Sequence, residues 1–303
     1  MKLTHVVESQ QFTVPLLLEL FDRARAMEKV VRRGGTEDYR HKVMATLFYQ
    51  PSTRTRFSFE AAMLRLGGQV LSTEQAKVFS SEIGGEQLED TIRIMGGVSD
   101  VIVLRHTDAG GAARAAAVST VPVINAGDGN GGQHPTQALL DLYTIWRERG
   151  TLDGLSIALV GELDRGRTVR SLAYLVSKFD RVKLYFVSPS EVQMQPDILE
   201  HLDRHGVWHE QQPDISQVAG AVDVVYQTRI DPGRVRERGS LRRCTIDAAL
   251  VRSMKPDAMV LHPLPRTVEL DPTVDTDPRA RYFQQATNGL YVRMALLTLL
   301  WDE

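Results

Sequence analysis

The chain has 303 residues, which predicts two domains, each large enough to bury its own core. A formal net charge of −2 supplies no global basic field, which argues against nucleic acid as a partner. Because Cys244 is the single cysteine, an intrachain disulfide and a cysteine-based metal cluster are excluded, and no metal or cofactor is predicted. No segment resembles a signal peptide or a membrane span, so we expect a cytoplasmic protein without membrane contact.

Short apolar strands alternate with helical stretches from about residue 43 onward, a pattern typical of doubly wound α/β proteins. In the first half, strands are predicted at 43–49, roughly 69–73, 101–105 and 121–125. A helix at about 136–149 and a turn at 152–154 follow, and we place the hinge at that turn. In the second half, strands are predicted at 155–160, 182–187, 222–227 and 258–262, before a final helix at about 288–301. We therefore expect two doubly wound parallel-sheet domains joined by interdomain helices.

Hydroxyl and guanidinium groups follow the first predicted strand, in the segment 52–56. Pro51 interrupts the strand because proline has no N–H to donate to a sheet. A helix is predicted next from apolar residues at helical spacing, namely Phe59, Met63 and Leu66. Ser52 or Thr53 can cap this helix, so its N–H groups and positive dipole end suit a bound phosphate. The alternative is an ordinary cap with two surface arginines.

Other predicted strands also end in polar residues. Arg105 and His106 end the third strand, and the fourth runs into a loop with four glycines at 125–133. His134 and Gln137 stand at the start of the next helix, although a lone histidine there can also be a cap or a buried, satisfied residue. Because parallel strands share a carboxyl edge, where ligands bind in open α/β sheets, these groups predict one site.

Three separated segments resemble the signatures of the aspartate/ornithine carbamoyltransferase family. They are Ser-Thr-Arg-Thr-Arg at 52–56, His-Pro-Thr-Gln at 134–137 and His-Pro-Leu-Pro-Arg at 262–266. The closing pattern at 282–297 is similar to the aspartate branch of the family, so the resemblance spans nearly the whole chain. It implies a carbamoyl phosphate-binding domain at 1–135, completed by the C-terminal helix 288–303, and an amino-acid-binding domain at 150–285.

The resemblance implies how carbamoyl phosphate is bound. The residues expected to hold its phosphate are Ser52, Thr53, Arg54, Thr55 and Arg105. Thr55, Arg105 and His134 would donate to the carbonyl oxygen as the amine attacks. Gln137 and the backbone of Pro263 and Leu264 would orient the carbamoyl NH2 group, and in the family the Leu264–Pro265 bond is cis. The expected catalytic residues are Arg54, Thr55, Arg105, His134 and Gln137.

The resemblance also implies the acceptor and the assembly. Arg167 and Arg229 match residues that bind the two carboxylates of aspartate, although either arginine alone could be a surface residue. The expected product is N-carbamoyl-L-aspartate, in pyrimidine biosynthesis. The family forms homotrimers whose active sites share the loop around Ser80, and a regulatory chain or a dihydroorotase is a possible partner.

Two positions depart from the family pattern. In the family, the loop around Ser80 usually contains a lysine, and this chain has Gly84 at that position. Two residues after the arginine that Arg229 matches, the family usually has an amide, and this chain has the acid Asp231. One hypothesis is a less acidic or diamino acceptor, with Asp231 in the amino-acid site. The alternative is that Asp231 pairs with Arg229, while Lys77 or one of the arginines at 234–243 replaces the lysine.

Two further readings remain open. Residues 161–168 follow a strand and open a helix, so they mimic a nucleotide-binding loop with arginine in place of lysine. A non-catalytic, carbamoyltransferase-like subunit is also conceivable, since the loop lysine is lost. The retained groups at 52–55, Arg105, His134 and Gln137 argue against it.

Overall fold

The structure is a computed structural model that describes residues 3–74 and 85–302. The chain forms two compact units. Unit 1 comprises Met1–Leu139 and Asn288–Glu303, and unit 2 comprises Leu140–Thr287. Each unit contains one parallel sheet with flanking helices, so the predicted α/β fold with two parallel sheets is confirmed. Within the described ranges, no helix combines the length and the apolar character needed to cross a membrane.

The sheet of unit 1 has four strands in the order β2-β1-β3-β4, and every neighbouring pair is parallel. The strands are β1 (Val43–Phe48), β2 (Gln69–Glu74), β3 (Val101–His106) and β4 (Val123–Asp128). The central strands β1 and β3 are almost entirely buried, whereas β2, at one edge, is partly exposed along its length. This difference explains why β1 and β3 read as apolar runs and β2 as a mixed one.

The described residues form ten α-helices. They are α1 (Val14–Arg32), α2 (Thr53–Arg65), α3 (Leu88–Gly96), α4 (Gly111–Val118), α5 (Pro135–Arg149), α6 (Arg167–Val176), α7 (Pro196–Arg204), α8 (Arg238–Arg243), α9 (Ala248–Ser253) and α10 (Tyr282–Trp301). The predicted apolar face of α2 is confirmed, because Phe59, Met63 and Leu66 are fully buried. The C-terminal part of α10 joins unit 1, where Arg293 Nη1 donates to Ser58 Oγ at 2.8 Å.

The sheet of unit 2 has five parallel strands in the order β7-β6-β5-β8-β9. The strands are β5 (Ser156–Val160), β6 (Lys183–Val187), β7 (Trp208–Gln212), β8 (Val224–Gln227) and β9 (Met259–Leu261). Strand β7 was absent from the sequence prediction. It lies at the edge of the sheet, and its sequence Trp-His-Glu-Gln-Gln lacks the apolar run of a buried strand.

Two predicted boundaries are wrong. Strand β4 spans Val123–Asp128 rather than 121–125, so it continues into the glycine-rich segment. Helix α10 begins at Tyr282, six residues before the predicted start at 288. Asn288 and Gly289, at which the predicted helix began, are interior residues of the observed helix, and both are buried. The predicted domain boundaries at 135 and 150 stay a prediction.

Candidate active site

The carboxyl ends of β1, β3 and β4 lie side by side at one edge of the unit 1 sheet. Phe48 of β1 pairs with Arg105 of β3, and the N–H of Tyr49 donates to the Arg105 carbonyl oxygen at 2.9 Å. The Arg105 guanidinium donates from Nη1 to the carbonyl oxygen of Ala126 in β4 at 3.1 Å. Arg105 is therefore held beside the loop that follows β1.

Four predicted site residues form the beginning of helix α2. Ser52 occupies the N-cap position, and Thr53, Arg54 and Thr55 make the first turn. Contrary to the predicted capping role, the Ser52 side chain makes no capping hydrogen bond. No cap side chain therefore covers the first-turn N–H groups, and they lie at the positive end of the helix dipole. This geometry suits an anion such as a phosphate group.

Arg56, the last residue of the same segment, has a structural role. Its Nη2 lies 3.1 Å from Oε2 of Glu74 in β2, and its Nε lies 3.8 Å from Oε1 of Glu60. The pair with Glu74 fastens α2 to the edge strand, whereas Glu60 lies one turn further along the same helix. The two arginines of the segment therefore differ: Arg56 anchors the helix, while Arg54 is exposed in its first turn.

His134 and Gln137 lie at the start of α5, after the loop that follows β4. His134 is 4% exposed, and its Nδ1 lies 3.4 Å from Thr136 Oγ1. The backbone N–H of Gln137 donates to the His134 carbonyl oxygen at 3.1 Å, so both residues share one helical turn. The structure thus places both of them, as well as Arg105, at the carboxyl edge of the unit 1 sheet.

The loops after β3 and β4 are fastened together by Asp128. Its Oδ1 accepts the N–H of Gln133 at 2.8 Å, and its Oδ2 accepts the N–H of Gly110 at 2.9 Å. Gly129 permits the close approach of the two loops, because a Cβ atom there would lie 2.3 Å from the backbone N of Ala109. The glycine-rich segment is therefore compact and holds the entrance to α5 in place.

The unit 2 sheet carries the second set of predicted residues at its own carboxyl edge. Arg167 is the first residue of α6, and Arg229 follows β8. The N–H of Glu162 donates to the Arg229 carbonyl oxygen at 3.3 Å. Gly161 has φ +125°, and a Cβ atom there would lie 2.4 Å from the carbonyl oxygen of Thr228. The loops after β5 and β8 are therefore in direct backbone contact.

Asp231 caps a turn. Its Oδ1 accepts the N–H of Gly233 at 2.9 Å, at the start of the 3-10 turn Pro232–Arg234. Among the described residues, no ion pair joins Asp231 to Arg229, so the pairing considered from the sequence is not found. The acid at this position has a local structural function that an amide could also perform.

The neighbouring loops of unit 2 are linked by an ion-pair cluster. Arg234 donates to Asp164 at 2.6 and 3.1 Å and also contacts Glu162. Hydrogen bonding to Asp164 is the main cause that raises the pKa of Arg234. The two carboxylates of the loop 161–168 are therefore occupied by Arg234, and among the contacts of the described residues none supports the nucleotide-binding interpretation.

The loop after β9 is fixed through the imidazole of His262. Its Nδ1 accepts the N–H of Leu264 at 2.8 Å, and its Nε2 lies 3.0 Å from Glu269 Oε1. Since Nδ1 accepts, the proton lies on Nε2 and is donated to the carboxylate. The Leu264–Pro265 bond is cis, as the family resemblance implies. Pro263 and Leu264 are thus held in one defined backbone conformation.

Glu269 is an ionised carboxylate inside unit 2. Burial opposes its charged form, but hydrogen bonds from His262 and Thr267 outweigh burial and lower the pKa of Glu269 to about 2. Thr267 contributes its backbone N–H at 2.9 Å and its hydroxyl at 2.5 Å. The loop that carries Pro263 and Leu264 is therefore anchored by a charge that persists at neutral pH.

Ser80, Gly84 and Lys77 lie outside the described residues. The role predicted for Ser80 and the replacement of the missing lysine remain predictions.

Sequence reasoning missed three buried polar residues of unit 2. Asp141, Tyr226 and Gln285 are fully buried, and Asp141 accepts a hydrogen bond from each of the other two. One signal was available: Asp141 interrupts an apolar run, Leu139-Leu140 before it and Leu142 after it. A carboxylate at such a position requires buried partners.

Both units match models of one protein family. Residues 4–147 match the carbamoyl-P binding domain of aspartate/ornithine carbamoyltransferase, and residues 153–300 match the Asp/Orn binding domain. The chain therefore belongs to the aspartate/ornithine carbamoyltransferase family, as the sequence signatures indicated.

Similar proteins within the family are aspartate carbamoyltransferases. The chain is 54% identical over 311 residues to the chloroplastic aspartate carbamoyltransferase of Oryza sativa subsp. japonica, covering 99% of this chain and 85% of that protein. It is 46% identical to the catalytic subunit from Methanopyrus kandleri, covering 97% of this chain and 96% of that protein.

Solved structures show the same likeness. Aspartate transcarbamoylase from Trypanosoma cruzi, in complex with carbamoyl phosphate and aspartate, is 39% identical with a TM-score of 0.93. That comparison covers 98% of this chain and 95% of the other. The catalytic subunit of M. jannaschii aspartate transcarbamoylase is 42% identical with a TM-score of 0.91, covering 99% of both chains.

Proposed function

We propose that this chain is an enzyme that transfers the carbamoyl group of carbamoyl phosphate to the amino group of L-aspartate. The products are N-carbamoyl-L-aspartate and phosphate. The observation that carries the proposal is the full-length likeness to the T. cruzi enzyme, whose structure contains both carbamoyl phosphate and aspartate. The groups at the two sheet edges have the charge and hydrogen-bonding capacity that these substrates require.

Unit 1 binds carbamoyl phosphate in this proposal. The first turn of α2 offers backbone N–H groups and the positive end of the helix dipole to the phosphate. The side chains of Ser52, Thr53, Arg54 and Thr55 add hydroxyl and guanidinium donors, and Arg105 adds a second guanidinium. A phosphate dianion is neutralised by such charge-assisted bonds more effectively than by solvated surface lysines.

The chemical step requires no covalent intermediate. Thr55, Arg105 and His134 donate to the carbonyl oxygen and stabilise the negative charge that develops there as the amine attacks. Gln137 and the backbone of Pro263 and Leu264 orient the carbamoyl NH2 group. The departing phosphate accepts the proton that the amine loses. Positioning and electrostatic stabilisation therefore supply the rate enhancement.

Unit 2 binds the amino acid. Arg167 at the start of α6 and Arg229 after β8 each offer a guanidinium for one carboxylate of aspartate. Asp231 caps its own turn, so the acid has a structural role that does not require a less acidic or diamino acceptor. The similar proteins are named as aspartate carbamoyltransferases, so they favour neither that alternative nor a non-catalytic subunit.

The assembly we propose is a homotrimer. Unit 1 exposes large apolar side chains on α2 and on the edge strand β2: Phe57 is 52% exposed, Leu64 63% and Leu71 45%. An exposed sheet edge with apolar neighbours suits a second copy of the chain. Light scattering of wild type and of Leu71→Lys tests this proposal, which expects a trimer for wild type and a smaller species for the variant. A monomeric wild type contradicts it.

The product places the reaction in pyrimidine biosynthesis. The cytoplasm is the proposed location, although plant relatives are named as chloroplastic. A regulatory chain or a dihydroorotase remains a candidate partner, which co-purification of the native complex would identify.

A steady-state assay tests the activity. Purified protein is incubated with carbamoyl phosphate and L-aspartate, and phosphate release and carbamoyl aspartate are both measured. We expect equal amounts of the two products, and phosphate release at the spontaneous rate without aspartate. Phosphate release without any carbamoylated amino acid contradicts the proposal.

A further inference from the structure

A buried chain of hydrogen bonds runs through unit 2. Its members come from α5, β8, α10 and the loop after β9, and each is at most 1% exposed: Asp141, Tyr226, Gln285, His262 and Glu269. Polar groups this deeply buried are costly unless all of them are hydrogen-bonded. The proposed mechanism uses none of these side chains directly, so their arrangement calls for a separate explanation.

Asp141 is the centre of the chain. Its Oδ2 accepts the hydroxyl of Tyr226 at 2.8 Å, and its Oδ1 accepts Nε2 of Gln285 at 2.6 Å. The side chain of Thr168 lies close enough to the Tyr226 hydroxyl to favour its ionised form slightly and so to lower its pKa. Burial, followed by the charge of Asp141, raises the pKa of Tyr226 well above its ordinary value, so the tyrosine remains a donor at neutral pH.

The two ends of this hydrogen-bond chain lie beside predicted substrate-binding residues. Thr168 directly follows Arg167 in the first turn of α6. At the other end, Gln285 Oε1 accepts the backbone N–H of His262 at 2.8 Å, and the imidazole of His262 accepts the N–H of Leu264. All these residues belong to unit 2. A continuous path of contacts therefore leads from Arg167, which is proposed to bind aspartate, to the backbone of Pro263 and Leu264, which is proposed to orient the carbamoyl group.

We infer that Asp141 is a positioning residue, which through Tyr226 and Gln285 fixes Arg167 relative to Pro263 and Leu264. The inference rests on the proposed function, since it assumes that these two places bind the acceptor and the carbamoyl group. Displacing a reacting group by about 1 Å can lower a rate by about a hundredfold. A buried scaffold with every polar group satisfied holds such a geometry more tightly than surface contacts do.

Tyr226→Phe tests the inference, because it removes one hydroxyl and leaves the ring in place. We expect kcat to fall about tenfold and KM for aspartate to rise about fivefold. The dissociation constant of inorganic phosphate, which binds at unit 1, stays within about twofold of wild type. Unchanged kcat and KM alongside a lowered melting temperature would show a purely structural role and overturn the inference.

Asp223→Asn is the matched control for lost stability. Asp223 precedes β8, at the amino end of the strand that carries Tyr226, and accepts from Ser156, Lys255 and Arg149. We expect this variant to melt at a lower temperature with kcat and KM within about twofold of wild type. If it loses activity as strongly as Tyr226→Phe, the activity loss reflects general instability and the inference fails.

Gln285→Glu supplies a second readout that does not depend on Tyr226→Phe folding. A protonated glutamic acid can donate to Asp141 and accept from His262 as glutamine does, whereas its ionised form repels Asp141. The other titratable members of the chain are Tyr226, His262 and Glu269. We expect kcat to fall with rising pH along a step that wild type and Asp223→Asn lack. A pH profile that matches wild type contradicts the inference.

Wild type in the same assays separates the two proposals. If wild type forms no carbamoyl aspartate, the proposed function has failed. If wild type is active while Tyr226→Phe and Gln285→Glu show wild-type kinetics, only the positioning role of Asp141 has failed.

Discussion

The carboxyl edges of the two sheets present their functional groups in different ways. In unit 1, the candidate groups at 52–55 are consecutive residues at the start of one helix, where the cap side chain leaves the first-turn N–H groups uncovered. In unit 2, the loops at the edge are held by long-range side-chain contacts, namely the ion pair of Arg234 with Asp164 and the hydrogen bond of His262 with Glu269. A phosphate site can therefore be built from local backbone geometry, whereas placing two separate arginines for an amino acid requires a long-range scaffold.

The largest effect on activity is expected from a substitution at the start of α2, at the carboxyl edge of the unit 1 sheet. Arg54→Ala should lower kcat/KM for carbamoyl phosphate about a thousandfold, because a guanidinium at the phosphate and the developing charge is lost. Initial-rate kinetics at varied carbamoyl phosphate check this. Arg65→Ala is the control, since Arg65 lies in the last turn of the same helix and donates to the Gly34 carbonyl oxygen. If kcat/KM falls equally in both variants, the start of the helix is not the phosphate-binding site.

The second prediction concerns the scaffold of unit 2. The folded-state pKa of Glu269 is about 2, below the ordinary value of 4.5, so Glu269 contributes stability that is complete above pH 4.5 and is lost as the pH falls toward 2. The shift corresponds to an upper limit of about 3 kcal/mol.

Urea unfolding of wild type and Glu269→Gln at pH 3 to 7 measures this contribution. The difference in unfolding free energy should be largest above pH 4.5 and should shrink below it. A difference that is constant with pH would show that the Glu269 charge stabilises nothing.

The two units also differ in how far their functional residues can be predicted from the sequence. The unit 1 groups at 52–55 and 134–137 are contiguous, so a short motif identifies them. The partners in unit 2 are remote: Gln285 and Asp141 are 144 residues apart. Pairing at that distance depends on the strand order, which no local pattern encodes. The polar edge strand β7 and the start of α10 were missed for a related reason, since sheet position and packing outweigh local composition there.

Arg229→Ala tests whether unit 2 binds the acceptor. Loss of one charge-assisted pair to a carboxylate should raise KM for aspartate about fiftyfold, with the affinity for carbamoyl phosphate unchanged. Arg252→Ala, an exposed arginine of α9, is the control and should behave as wild type. If KM rises for carbamoyl phosphate instead of aspartate, Arg229 binds carbamoyl phosphate and the proposed role is wrong.

The smallest effect is expected at Asp231. Since its carboxylate caps a turn, Asp231→Ala should lower the unfolding free energy by about 1 kcal/mol, while Asp231→Asn keeps the cap and most of the stability. Both variants should retain KM for aspartate within about threefold. Thermal melts and aspartate kinetics check these values. A tenfold gain in aspartate affinity for Asp231→Asn would place the acid in the acceptor site after all.

One competition assay tests the central claim most directly. Wild type is given carbamoyl phosphate and an equimolar mixture of L-aspartate, L-asparagine, L-ornithine and L-lysine, and the carbamoylated products are quantified by mass spectrometry. We predict that N-carbamoyl-L-aspartate exceeds every other product by at least about a hundredfold, because the other acceptors lack the second carboxylate and leave one of the two arginines without its partner. Preferential carbamoylation of a neutral or diamino acid would contradict the account.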